Sequence, residues 1–99
     1  MCIRDSSYTV VSLQSRGKVP NYEASMAKNF GAELGQRLHQ IGMEVFGLLG
    51  QLAPGTARAP LGGTPMKEYL SAVSATIGGG TSEINRNVIA TRGLGLPRG

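Results

Sequence analysis

The residues of this chain best suited to chemistry are Gly78-Gly79-Gly80-Thr81-Ser82-Glu83-Ile84-Asn85-Arg86-Asn87. A glycine run opens onto two hydroxyls, an acid and a helical pattern. Glycines let the backbone approach a ligand closely, and the first turn of the following helix leaves N–H groups without helical partners. That combination suits an anionic or phosphorylated ligand, although glycines before a helix also serve as a plain hinge. The turn lacks the lysine of a phosphate-binding P-loop, which disfavours nucleotide hydrolysis. His39 is the only histidine and has no acid or thiol partner nearby in the sequence, so it reads as a partly exposed helix residue. With that histidine and a lone cysteine, Cys2, no zinc-ligand cluster assembles, and no metal is expected.

The composition narrows the function classes. The formal net charge is +4, but the ten basic residues are scattered and the chain holds only three Tyr, two Phe and no Trp. A nucleic-acid binder shows a basic stripe with stacking platforms, so that class is excluded. No apolar run approaches the roughly 20 residues of a membrane span, and no apolar signal region opens the chain. A soluble, cytoplasmic protein is expected. Ninety-nine residues make one small domain that buries about 60–65 % of its unfolded surface.

The elements that must position the glycine turn are all helical, and no alternating strand pattern occurs. Tyr8 to Arg16 reads as the tail of a helix, closed by Gly17 and Pro20. Asn21 is a plausible N-cap for the next helix, with Glu23 in its first turn. From Tyr22 to about Leu49, Phe30, Leu34, Leu38, Ile41, Val45 and Leu48 recur at helical spacing as a stripe. Gly31, Gly35, Gly42 and Gly47 weaken this helix by about 1 kcal/mol each relative to Ala, which implies closely packed neighbouring backbones. A Pro/Gly-rich loop follows from Gly50 to Gly63. Thr64-Pro65 then starts a helix by a capping hydroxyl, with Met66, Tyr69, Leu70, Val73 and Ile77 on one face. Tyr22 and Tyr69 are expected to pack with their polar tips outward. Thr81 or Ser82 caps the last helix, Gly93 forms its left-handed end, and Pro97 seals it.

The string from Gly80 to Arg92, continued by Gly93-Leu94-Gly95-Leu96-Pro97-Arg98, resembles the C-terminal signature of the acyl-CoA dehydrogenase family of flavoenzymes. Glu23-Ala24-Ser25-Met26-Ala27-Lys28 resembles the family's lysine-containing helix start, and Glu44 to Gly50 a segment that usually reads Gln, aliphatic, any, Gly, Gly, any, Gly. The resemblance covers nearly everything after residue 7. It implies an all-α fold, the C-terminal part of an up-down helical bundle that is incomplete at its N-terminus. It also implies FAD as cofactor, an acyl-CoA substrate, a homo- or hetero-oligomer (dimer or tetramer) formed through the bundle, and an electron-transfer flavoprotein as acceptor. By position, Gly80, Thr81, Ser82 and Glu83 match the family's FAD-contacting turn. Glu44 and Leu48 match a segment that contacts the FAD of a neighbouring subunit, with Glu44 replacing the usual Gln and Leu48 the second Gly.

Many relatives place a glutamate base immediately before the Gly-Thr pair, where this chain has Gly79. Glycine cannot accept a proton. The base then sits on an upstream helix, or another subunit supplies the active site, or the gene is inactive. The first gives the function as part of an FAD-dependent acyl-CoA dehydrogenase, contributing FAD contacts and oligomer interface. The second gives a non-catalytic subunit of a heteromeric one. A free-standing helical interaction module is a third reading, and it requires residues 6–99 to fold cooperatively alone. Finally, Met1-Cys2-Ile3-Arg4-Asp5 resembles a translated sequencing adapter. Residues 1–5 are therefore set apart as adapter-derived, residues 6–99 are expected to be a partial C-terminal domain, and the isolated chain is expected to be inactive.

Overall fold

The computed structural model describes residues 3–98, and every regular element among them is helical. The α-helices are α1 (Ile3–Ser15), α2 (Tyr22–Phe46), α3 (Thr64–Ala75) and α4 (Ser82–Val88). Met1 and Cys2 lie outside the described residues, while Ile3, Arg4 and Asp5 belong to the first turn of α1. The chain divides into two compact units: residues 1–31 with 79–99, and residues 32–78.

In the first unit, α1 stops where Gly17 was expected to stop it. The Lys18 N–H donates to the Leu13 carbonyl and the Gly17 N–H to the Gln14 carbonyl, the paired bonds of a Schellman cap. Asn21 precedes α2 as foreseen, and the Glu23 carboxylate accepts from the Asn21 N–H at 3.1 Å. The carboxylate is held below its ordinary value of 4.5 chiefly by its own backbone N–H, against desolvation, with a lesser pull from the Asn21 N–H. The end of α4 departs from expectation. Instead of closing at a left-handed Gly93, the helix widens into a π turn at Ile89–Gly93, and the left-handed residue is Gly95, at φ 68°. Gly93 has a different reason to be glycine: a Cβ there would lie 3.1 Å from the ring of Tyr22.

In the second unit, α2 ends at Phe46, and the chain tightens into a 3-10 turn at Gly47–Gln51. The helix predicted to reach Leu49 breaks at Gly47, whose φ of 55° is not helical. A second 3-10 turn, Pro60–Gly63, leads into α3. Thr64 does not cap α3 as predicted, because its hydroxyl donates back to the Leu61 carbonyl at 2.8 Å and Gly63 occupies the N-cap position. Gly63 also lies so close to Pro54 that a Cβ would come within 2.5 Å of the proline nitrogen.

The apolar stripes do not form a core within the chain. Ala72 is the buried hydrophobic residue among those described, and no side chain of α2 is buried. Val45 is 77 % and Leu48 84 % exposed, and Leu38, Ile41, Leu70 and Ile77 are all more than half exposed. A Cβ at Gly31, Gly35 or Gly42 would meet open space, so the close backbone packing expected there is not made by this chain. The accessible surface is 6919 Å². A monomeric globular protein of this mass exposes about 5,400 Å². The stripes have the helical period of a core-facing surface, yet the described residues do not bury them.

Candidate functional site

The turn from Gly79 to Ser82 lies in the first unit and is built by two elements of that unit, α4 and the start of α2. Gly79 and Gly80 are both left-handed, at φ 70° and 95°. This conformation is strained for residues with a Cβ by roughly 1–2 kcal/mol. Position 79 therefore does more than lack a carboxylate: its backbone selects against any side chain, although a Cβ there would make only an ordinary contact, 3.9 Å from Lys28 Cε.

Thr81, rather than Ser82, caps α4. Its hydroxyl oxygen accepts from the Ile84 N–H at 3.3 Å, and the Asn85 N–H reaches the Thr81 carbonyl at 2.9 Å. The Glu83 carboxylate is exposed and held below its ordinary value of 4.5. Its own backbone N–H contributes most, then the Thr81 hydroxyl, with a weaker pull from Arg86, against slight desolvation. Glu83 thus behaves as a first-turn acid that completes the cap. Ser82 is half-buried, and its hydroxyl makes no hydrogen bond among the described residues.

Two side chains that the sequence reading gave no role hold the turn from inside. Lys28, on α2, donates through Nζ to the Gly80 carbonyl. Asn85, only 6 % exposed, donates through Nδ2 to the Gly80 carbonyl at 2.8 Å and to the Thr81 carbonyl at 2.9 Å. At its other end α4 is tied by Arg92, whose Nη1 donates to Asn21 Oδ1 at 2.7 Å, beside the Tyr22–Gly93 contact. The Asn21 side chain is thereby engaged by Arg92 instead of capping α2. An asparagine four residues after a helix cap was the available signal for Asn85. The partners of Lys28 and Arg92 lie 52 and 71 residues away in sequence, beyond any local pattern.

Gly80, Thr81, Ser82 and Glu83 are thus brought together in the first unit, with Lys28 and Asn85 behind them. Glu44 and Leu48 belong to the second unit, where they line one open groove of about 550 Å³ with Gln40, Met43 and Tyr69. The groove is mixed in character: an acid and an amide beside a thioether, an aliphatic and an aromatic side chain. His39 is half-buried on α2. No group of three or more His, Cys, Asp or Glu able to hold a metal ion occurs among the described residues, and no described helix is long and apolar enough to cross a membrane.

Known proteins give the same family. A family model described as acyl-CoA dehydrogenase, C-terminal domain, matches residues 3–94. Acyl-CoA dehydrogenase FadE26 of Mycobacterium tuberculosis is 38 % identical over 76 residues, covering 77 % of this chain and 19 % of that protein. A solved structure of the Tcur3481-Tcur3483 steroid ACAD superposes with a TM-score of 0.89 at 25 % identity, over 98 % of this chain and 25 % of that one. The ChsE4-ChsE5 complex from Mycobacterium tuberculosis gives a TM-score of 0.86 at 32 % identity, again over 98 % of this chain and 25 % of the other. The chain therefore spans about a fifth to a quarter of the relatives it matches.

Proposed function

Because this chain belongs to the acyl-CoA dehydrogenase family, matching its C-terminal helical domain, we propose that it is part of an FAD-dependent enzyme that dehydrogenates an acyl-CoA thioester between its α and β carbons. The observation that carries this reading is the turn at Gly79–Ser82. The turn combines two left-handed glycines, a carbonyl drawn inward and a hydroxyl with no partner among the described residues. In a trans peptide the N–H points opposite to the C=O, so the Thr81 N–H faces away from Lys28 and Asn85. That N–H and the Ser82 hydroxyl form a polar edge that fits the polar rim of a flavin. When bound, FAD supplies the hydride acceptor. This chain's residues bind and orient it.

Glu44 and Leu48 make the second contact in this proposal, toward the FAD of a neighbouring subunit. The exposed Glu44 carboxylate accepts hydrogen bonds where relatives offer an amide, and Leu48 adds apolar cover where they have glycine. The exposed stripes of α2 and α3 serve the remainder of the parent protein and its oligomer. The parent is placed in the cytoplasm, with an electron-transfer flavoprotein as acceptor. A relative described as a steroid ACAD makes a thioester with a steroid side chain the first substrate to try.

The left-handed Gly79 favours a second reading beside the first. The base comes from an upstream helix of the same subunit, or this subunit is non-catalytic within a heteromeric enzyme. Two of the similar structures carry two-protein names, Tcur3481-Tcur3483 and ChsE4-ChsE5. The test is to reconstitute the parent protein with FAD, alone and with a second acyl-CoA dehydrogenase subunit, and to follow flavin absorbance after adding acyl-CoA. Bleaching by the parent alone supports the first reading, and bleaching only with the partner supports the second. No bleaching in either case, with straight-chain and steroid thioesters both tried, contradicts the proposed activity.

A further inference from the structure

We propose that Lys28 is a positioning residue for the flavin-facing turn: its bond to the Gly80 carbonyl fixes the Gly80–Thr81 peptide with the Thr81 N–H turned outward. The inference rests on the reading of this turn as a flavin contact and adds a named residue to it. The two glycines do not by themselves fix that peptide's orientation. Gly79 and Gly80 have no Cβ, so the peptides around them rotate with little steric resistance. An external anchor has to set them.

Two anchors meet at the Gly80 carbonyl. Asn85 is on α4, the helix that the turn begins, and it spans both the Gly80 and Thr81 carbonyls, so it moves with the turn. Lys28 is on α2 and ties the carbonyl to a different helix. Its donor is a full charge, and charge-assisted bonds are roughly twice as strong as neutral ones. The side chain runs past Gly79, with Cε at 3.9 Å from where a Cβ would stand. The ammonium is thereby directed at the carbonyl of residue 80, with its stem within van der Waals reach of position 79.

The experiment compares Lys28→Met and Lys28→Arg in the assembled protein that carries this chain. Amide exchange is measured over residues 79–85 without flavin, and FAD is then titrated in. Lys28→Met is expected to speed exchange in the turn and weaken FAD binding by about tenfold each, while Lys28→Arg, which keeps a charged donor, stays within about twofold. Should Lys28→Met fold poorly, Lys28→Gln, whose amide falls short of the carbonyl, is expected to show the same two changes. Unaltered exchange in Lys28→Met, or an equal loss in Lys28→Arg, overturns the positioning role. Faster exchange with FAD affinity unchanged in both Lys28→Met and Ser82→Ala leaves the tether standing and overturns the flavin reading of the turn.

Discussion

The two compact units are held in different ways. In the first, side chains from one helix reach the backbone or side chains of another: Lys28 to Gly80, Arg92 to Asn21, and the Tyr22 ring against Gly93. In the second, the tight contacts are close approaches at glycines, with Gly63 on the Pro54 backbone and Gly50 under the Phe46 Cβ, while the apolar faces of α2 and α3 stay open. The first unit specifies one turn by directional bonds. The second is a framework that leaves its large side chains exposed. A chemistry-bearing turn needs orientation to within a hydrogen bond, whereas an interface needs area and shape.

Substitutions in each unit sharpen this contrast, and the largest effect is expected in the second. Gly63→Val places a Cβ about one bond length too close to Pro54 at a left-handed φ, and should destabilise by about 3 kcal/mol or more in urea unfolding. In the first unit, Asn85→Leu removes two hydrogen bonds from a buried site and should lose about 2 kcal/mol. Its thermal midpoint should fall while the groove of Glu44 and Leu48 is unaltered. If Asn85→Leu proves neutral, the directional account of the first unit fails.

Smaller effects follow at the turn itself. Gly79→Ala should lose about 1–2 kcal/mol for its left-handed backbone alone. Gly79→Glu should show the same loss and gain no dehydrogenase activity, because the new carboxylate starts from a strained backbone beside Lys28. Rate enhancement by Gly79→Glu without loss of stability would contradict this. The smallest effect is acid sensitivity. Glu23 and Glu83 have folded pKa values below the ordinary 4.5, so their contribution is present above that value and is lost as pH falls through the lowered ones. Glu83→Gln should flatten the acid limb of a stability–pH curve slightly and leave it unchanged near neutrality.

Local features were legible in the sequence. The helix count, the Gly17 stop, the Asn21 start and the glycine turn all depend on neighbours a few residues apart, and each is where the pattern put it. What escaped depends on distance. Gly93 looked like a left-handed cap because Arg92-Gly93 has that form, yet its tight contact is with the Tyr22 ring, from another helix, which a Cβ there would meet at 3.1 Å. Thr64-Pro65 looked like a cap and first turn, but the left-handed Gly63 took the cap position. The stripe from Phe30 to Leu48 has the period of a buried face, and periodicity cannot say which molecule buries it. In the site, Thr81 and Ser82 were indistinguishable as caps until the Ile84 N–H chose Thr81.

That choice leaves the Ser82 hydroxyl and the Thr81 N–H as the groups the turn presents. Titrating FAD into the assembled apoprotein with Ser82→Ala tests this most directly. The account predicts a Kd raised roughly five- to tenfold, about 1 kcal/mol of lost hydrogen bonding, with the fold intact by circular dichroism. A Kd equal to that of the unsubstituted protein would contradict it.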